Sequence, residues 1–200
     1  MTTNNSINVP FTISIANGGT SLTSFANDKG IVTYDGSNLV ADQYAQLDSN
    51  DIFTNTKKPA FFAYKSATTN NVTGNATSYN FICDQEIFDQ ASNYDAATGI
   101  FTAPLDGLYC FGAAAYSSTS QSCDEIRIWI ETTRNRNAYM KIQRTWTTDV
   151  LFNNTIYEYR LLAGDTAKPG FFTYNNVSKN CNCAGGNSPI STCFWGYFLG

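Results

Sequence analysis

Short runs of β-branched and aromatic residues, each followed by turn-forming residues, constrain the fold of this chain more than any other feature. Residues 98–112 show the pattern clearly, since Ile100–Ala103 and Leu108–Phe111 flank the turn Pro104-Leu105-Asp106-Gly107. β-Branched and aromatic residues favour extended strands, whereas Pro, Asp and Gly favour turns. This stretch is therefore predicted to form two strands joined by a turn.

The same pattern recurs along most of the chain. In Glu125–Glu131, Ile126, Ile128 and Ile130 alternate with Arg127, Trp129 and Glu131, which predicts a strand with one buried face. Similar patterns predict strands over residues 60–66, 79–89, 98–103, 107–116, 125–133, 138–147, 155–163, 168–174 and 191–199. Two hundred residues can bury a substantial core. We predict an all-β sandwich or barrel.

The aromatic content changes abruptly near residue 57. Residues 7–15 alternate in a strand-like way and residues 30–36 repeat a strand and turn, but the first fifty residues contain few large apolar side chains. From Lys57 onward the aromatic density rises sharply. We predict a β-rich attachment or stalk segment over residues 1–56 and a separate head over residues 57–200. The first segment is expected to need the head, a sister chain or a larger assembly for its stability.

The charge of the chain argues against nucleic acid as a partner. The formal net charge is -4 and the isoelectric point is about 4.7, whereas a phosphate-backbone binder needs a concentrated basic surface. Five basic residues do cluster in sequence, and we interpret them as solvated strand and loop positions, with a spot for anionic glycans as the alternative: Arg127, Arg134, Arg136, Lys141 and Arg144.

Membrane insertion and secretion are not predicted. No apolar run approaches the length of about 20 residues that a bilayer span needs. The first residues lack the basic end and apolar stretch of a secretory signal, so we expect folding in a reducing compartment.

Catalysis is not predicted either. The chain has no histidine and no recognisable Ser or Cys nucleophile motif. Asp95, Asp106 and Asp165 stand in turns or beside Gly, which favours a structural role for them over paired-carboxylate chemistry. No cofactor is predicted. The six cysteines lack paired zinc-binding spacing and are interpreted as buried or free thiols, with a bridge from Cys181 or Cys183 to Cys193 or Cys123 left open.

Three segments are apolar on both faces of their predicted strands: Phe61-Phe62, Tyr109–Phe111 and Cys193–Leu199. Such a strand must be covered on both sides. We predict that a second copy of the same sheet covers the outer side, because soluble monomers seldom leave apolar patches of this size uncovered. A fully internal strand in a larger sandwich is the alternative.

Four segments carry a resemblance to a known family: Pro59–Tyr64, Asp95–Phe111, Leu161–Asp165 and Phe194–Leu199. They occur in the order and at about the spacing of the globular head of complement C1q, and YDAATGIFTAPLDGLYCF, residues 94–111, is the most specific match. Residues 57–200 therefore resemble this family. Cys110 and the long loop over residues 175–189 depart from the family pattern, and no collagen-like repeat is present.

The resemblance implies a C1q/TNF-like ten-stranded jelly-roll sandwich that assembles as a homotrimer. The predicted trimer interface consists of Phe61, Phe62, Tyr64, Tyr109, Phe111, Phe194, Trp195, Tyr197 and Phe198. Some relatives bind calcium through loop acids, for which Asp124, Glu125 and Asp149 are weak candidates, because no dense acidic loop surrounds them.

The predicted function combines the head with its attachment segment. Residues 16–25 and 30–39 resemble short segments of fibre and tail proteins of phages and large DNA viruses. We predict a non-enzymatic trimeric head on a virion surface, held to other virion proteins by residues 1–56. Its loops over residues 67–78, 117–124 and 175–189 would adhere multivalently to a host-surface glycan or protein. A capsid cement or vertex protein without a host ligand and a secreted C1q-domain recognition protein are the alternatives.

Overall fold

The computed structural model describes residues 30–34, 39–47, 53–55, 57–119, 123–134, 138–146, 149–174 and 179–200. Within these residues the chain forms strands and no helix, and it divides into two compact units, Met1–Thr56 and Lys57–Gly200. No helix of this described part is long and apolar enough to cross a membrane. The predicted strand over residues 7–15 lies outside the described residues.

The described part of the first unit is a three-stranded antiparallel sheet in the order β1-β2-β3. Its strands are β1 (Gly30–Tyr34), β2 (Leu39–Leu47) and β3 (Phe53–Asn55). The first of these was predicted from sequence, whereas β2 and β3 were not.

The second unit, called the head below, contains thirteen strands among its described residues. They are β4 (Ala60–Tyr64), β5 (Thr69–Thr73), β6 (Tyr79–Asn80), β7 (Gln85–Asp89), β8 (Tyr94–Asp95), β9 (Ile100–Thr102), β10 (Gly107–Thr119), β11 (Cys123–Thr132), β12 (Ala138–Trp146), β13 (Asp149–Leu161), β14 (Thr166–Tyr174), β15 (Cys181–Cys183) and β16 (Cys193–Phe198). The count exceeds ten because several of these segments are only two or three residues long.

A seven-stranded sheet is organised around β10, the strand that follows the turn at residues 104–107. Strand β13 pairs with the whole length of β10 on one side. On the other side β16 pairs with its first half and β15 with its last three residues, which gives the order β5-β15-β10-β16-β4-β7. All of these pairs are antiparallel.

A six-stranded sheet forms the second layer, in the order β12-β11-β14-β9-β8, with β6 also paired to β14. The predicted alternation in β11 is confirmed, because Ile126, Ile128 and Ile130 are buried while Arg127 and Glu131 face outward. This strand therefore contributes its isoleucines to the core between the sheets.

The core between the two sheets contains aromatic side chains at one end and small side chains at the other. Phe61 stacks on Tyr94 and on Phe101, with ring centroids 4.7 Å and 5.2 Å apart. Farther along β10, Ala113, Ala115 and the hydroxyl residue Ser117 are buried instead. The architecture is a jelly-roll-like sandwich, as predicted, and its aromatic end supplies most of the buried apolar volume.

Candidate interface faces and apex of the head

The nine predicted interface residues separate into two sets, because successive side chains of a strand point to opposite faces. Phe61, Tyr109, Phe111 and Phe194 are completely buried in the core of a single chain. Within one chain these four side chains therefore belong to the core and not to the surface. Phe198 is partly buried and packs on Tyr109, with centroids 5.0 Å apart. The remaining four lie on the outer side of the seven-stranded sheet: Phe62, Tyr64, Trp195 and Tyr197.

This outer side, called the seven-strand face below, carries a row of aligned residues that crosses five strands. Strand register aligns Ile156 of β13, Gly112 of β10, Trp195 of β16, Phe62 of β4 and Phe88 of β7. We call this set the apolar row. Its two ends are the most exposed, at 59% for Ile156 and 50% for Phe88. The row therefore presents apolar side chains to solvent at both edges of the sheet.

The middle of the apolar row is flattened by a tryptophan that lies across a glycine. A Cβ atom added at Gly112 would overlap the indole of Trp195, so only glycine leaves room for the ring in this position. The indole also stacks on Tyr197, with centroids 5.9 Å apart and an interplanar angle of 5°. Tyr197 is 43% exposed and extends the aromatic surface along β16.

Next to the apolar row lies a short polar row formed by Glu158, Cys110 and Tyr197. A hydrogen bond with the Cys110 thiol raises the pKa of Tyr197. The tyrosine hydroxyl is therefore neutral at physiological pH. Glu158 contributes a carboxylate to the same row.

The outer side of the six-stranded sheet, called the six-strand face below, also has a tryptophan packed over a glycine. Trp129 is 9% exposed, and a Cβ atom at Gly170 would lie 2.6 Å from its Cε2 atom. Arg127 lies over the Phe172 ring at 5.2 Å and pairs with Glu125, while Lys168 lies 3.7 Å from Glu131. Opposite charges thus cover the aromatic groups on this face.

Two of the five clustered basic residues form ion pairs in the described structure. Arg127 pairs with Glu125, and Arg134 pairs with Asp165 in a turn. Lys141 and Arg144 belong to β12, whose side chains lie outside the described part, as does Arg136. The described basic residues are therefore components of ion pairs, which agrees with their interpretation as solvated strand and loop positions.

The three predicted recognition loops meet at one end of the seven-stranded sheet, which we call the apex. Two of them contain strands that the sequence did not reveal, since β5 pairs with β15 and β15 pairs with the end of β10. The backbone N–H of Asn71 donates to Oδ1 of Asn182 at 2.9 Å, and that of Gly185 donates to Oγ1 of Thr68 at 3.2 Å. Residues 120–122 and 175–178 of these loops lie outside the described part.

The apex presents neutral polar groups on a fixed backbone. Asn70, Asn71 and Asn75 are exposed, and Asn71 has a φ of 57°, a left-handed conformation that asparagine tolerates better than most residues. The Thr73 hydroxyl is buried and donates to the Thr77 carbonyl at 2.7 Å. Amide and hydroxyl groups held in this way can exchange hydrogen bonds with sugar hydroxyls or peptide groups.

The three turn carboxylates hold the backbone, as expected. Asp165 accepts hydrogen bonds from the Leu162 N–H and the Thr133 hydroxyl, which lower its pKa. The hydroxyl of Thr98, followed by the Ala97 N–H, lowers the pKa of Asp95 in the same way. Asp106 accepts a bond from the Ala163 N–H at 2.8 Å. Each carboxylate therefore fixes a turn, and those of Asp95 and Asp165 stay ionised near neutral pH.

Only one of the three calcium candidates, Glu125, has a side chain within the described part. Glu125 pairs with Arg127, and the side chains of Asp124 and Asp149 lie outside the described part. Among the residues whose side chains are described, no three His, Cys, Asp or Glu residues form a group that could hold a metal ion.

Cys83, Cys110 and Cys183 are buried free thiols and Cys193 is a partly exposed one, while Cys181 is also buried. Burial raises the pKa of the Cys183 thiol to about 12, and burial likewise raises that of Cys83. Both are thus protonated and poorly nucleophilic at neutral pH.

The comparisons with known proteins agree with this architecture. The family model for the C1q domain matches residues 60–166, more than half of the chain. Among solved structures, the globular domain of zebrafish complement 1qA is 16% identical, with 72% of this chain and 98% of that chain covered and a TM-score of 0.51. No curated protein sequence matches the chain. The predicted C1q/TNF-like fold is therefore confirmed.

Two structures of murine APRIL also match at low identity. The structure at pH 8.5 is 10% identical with a TM-score of 0.47, and the structure at pH 8.0 is 11% identical with a TM-score of 0.48. Each match covers 72% of this chain and 100% of that chain.

Proposed function

This chain belongs to the C1q domain family, and we propose that it is a non-enzymatic homotrimeric recognition head on a virion surface. The seven-strand face joins the three chains. The three apices adhere together to a host-surface glycan or protein, and residues 1–56 attach the head to other virion proteins.

The observation that carries this proposal is the uncovered apolar surface of the seven-strand face. Ile156, Phe88 and Tyr197 together expose on the order of 300 Å² of apolar and aromatic surface, taking about 200 Å² for each side chain. The largest apolar patch on a typical monomer is about 300–600 Å² and is often functional, so exposed apolar surface on this scale supports an interaction site. In a closed ring of identical chains, this surface would be removed from water on every chain.

A trimer gives a shallow polar apex enough avidity to act as an adhesin. The described apex offers mainly amides and hydroxyls, so a single contact with a glycan or protein is expected to be weak. Simultaneous engagement of three apices raises the apparent affinity by roughly 10² to 10⁴ without any new contact. A repetitive host surface supplies the matching array of ligands.

The first test measures assembly and binding on the full chain. Sedimentation velocity should give a particle of three chains, and a glycan array with cell-binding assays should detect the ligand. Asn70→Ala together with Asn187→Ala, two exposed apex positions, should leave the trimer intact and reduce binding at least about tenfold. A monomeric full chain, or binding unaffected by apex substitutions and by dissociation of the trimer, would contradict the proposal.

The second test concerns the attachment segment. A chain lacking residues 1–55 should still form trimers and bind cells, but it should no longer be incorporated into particles. A cement protein would instead lose all of its function with that segment. Mass spectrometry of purified particles distinguishes the virion location from the secreted alternative, in which the protein would be found free in the medium.

A further inference from the structure

We infer that the trimer closes by joining the two ends of the apolar row, so that Ile156 of one chain packs against Phe88 of the next. This inference rests on the trimer proposed above and specifies its contact. It assigns different roles to the two edge strands of the seven-stranded sheet, β13 and β7.

The distribution of exposure along the apolar row is the first argument. The row crosses five strands, so its ends are about 19 Å apart at a strand spacing of about 4.8 Å. The central Trp195 is only partly exposed, because its indole lies over Gly112. The uncovered apolar surface is therefore concentrated in two separate patches, one at each edge.

A bulge enlarges the patch on β7. The register between β4 and β7 shifts after Phe62, so Ile87 has no partner residue in the ladder. Such a bulge places an extra residue on an edge strand and increases its twist. Ile87 and Phe88 are both more exposed than Tyr197 as a result. The β7 patch is therefore broad enough to receive a branched side chain from a neighbour.

Ring symmetry is the second argument. A twofold dimer joins a patch to itself, whereas a threefold ring joins two different patches of each chain. Two unlike apolar patches at opposite edges of one face fit the ring. With three chains, each patch is used once and no apolar edge remains exposed.

The polar neighbours of the two patches favour the same pairing. On β13, Ile156 lies between Asn154 and Glu158, which also face outward. Register places Gln90 at the level of Glu158 and Gln85 at the level of Asn154. When strands of neighbouring chains run parallel to the threefold axis, Glu158 faces the Gln90 amide and Asn154 faces the Gln85 amide, so no carboxylate meets another. A parallel contact of β13 with β13 would set Glu158 against Glu158, which is unfavourable.

The experiment is a pairwise cross-link in the full chain. A double variant with Ile156→Cys and Phe88→Cys is treated with a bis-maleimide of short spacer, and denaturing gels are run beside sedimentation velocity. The expected result is a covalent trimer as the main product. Each single variant should sediment as a trimer but run as a single chain on the gel. The unsubstituted chain corrects for reaction at Cys193, which is partly exposed.

The matched control replaces Ile156→Cys by Leu105→Cys, an exposed turn position, in combination with Phe88→Cys. It should give no covalent trimer. Covalent dimers from either single variant, or a double variant that sediments as a trimer without cross-linking, would overturn the pairing while the trimer stands. A chain that sediments as a monomer would overturn both.

A second measurement does not depend on new cysteines. Ile156→Ala and Phe88→Ala should each raise the trimer dissociation constant about tenfold or more. Their combined effect should be smaller than the product of the two, because residues in contact are coupled. Independent effects would contradict a direct contact.

Discussion

The two outer faces of the head share one packing arrangement but differ in how much of it is exposed. Each carries a tryptophan that lies over a glycine of the neighbouring strand, Trp195 over Gly112 and Trp129 over Gly170. On the six-strand face, Trp129 is almost buried and ion pairs cover its surroundings. On the seven-strand face, Trp195 is partly exposed, and the exposed side chains of Ile156, Phe88 and Tyr197 lie on the same face.

This difference shows that an aromatic outer strand does not by itself identify an interface. In the described part of the six-strand face, charged side chains cover the aromatic rings and face the solvent. The described side chains of the seven-strand face form no such cover, which is why we propose that a partner surface covers it. Matched substitutions on the two faces test this difference.

The largest effect is expected from a carboxylate placed on each face. Tyr197→Glu should dissociate the trimer and raise its dissociation constant at least about 100-fold, because an unpaired charge is costly to bury. Tyr174→Glu is the matched change on the six-strand face, where Tyr174 is 37% exposed. It should leave the trimer intact. Sedimentation velocity measures both, and a trimeric Tyr197→Glu variant would show that the seven-strand face is not the interface.

Removal of the two tryptophans should separate chain stability from assembly. Trp129→Ala should lower the free energy of unfolding by about 3 kcal/mol, since it deletes a nearly buried side chain. Trp195→Ala should cost only about 1 kcal/mol in the dissociated chain but weaken the trimer. Urea unfolding in a Tyr197→Glu background gives the first quantity and sedimentation gives the second. Equal costs in the dissociated chain would contradict the difference between the faces.

The reactivity of Cys193 should report on coverage of the seven-strand face. This thiol is partly exposed in one chain, and burial raises its pKa. Alkylation at pH 8.5 should be about tenfold faster in a dissociated Ile156→Glu variant than in the trimer, because a sister chain would cover the part of this thiol that one chain leaves exposed. Cys183, whose pKa burial raises to about 12, should stay unmodified in both. Equal rates for Cys193 would show that assembly leaves this part of the face open.

The smallest effect is expected from an ion pair on the six-strand face. Lys168→Met removes the charge that lies 3.7 Å from Glu131, with both side chains partly exposed. The free energy of unfolding should fall by less than about 1 kcal/mol, and less still at high salt, because exposed ion pairs contribute little and are screened. Urea unfolding at two salt concentrations measures this. A change in the trimer would mean that the six-strand face also takes part in assembly.

Strong periodicity made most of the head predictable. The isoleucines of β11 point inward as their alternation required, and the turn aspartates bond the backbone as their neighbours suggested. Strands β5 and β15 were missed because Thr69–Thr73 and Cys181–Cys183 have no apolar alternation. These segments are extended because they pair with each other and because β15 pairs with β10 at long sequence distance, a cause that local patterns do not contain.

Local sequence patterns predict that this chain forms a β-sandwich of the C1q type, because alternation and turn chemistry are local and a specific motif spans the middle of the head. They do not predict which of two neighbours, such as Phe61 and Phe62, faces the core. A period of two defines two sets of side chains, but the pairing of β4 with β16 and β7 selects the set that meets the opposite sheet. The same pairing aligned residues distant in sequence into one apolar row, and it left that row uncovered within a single chain.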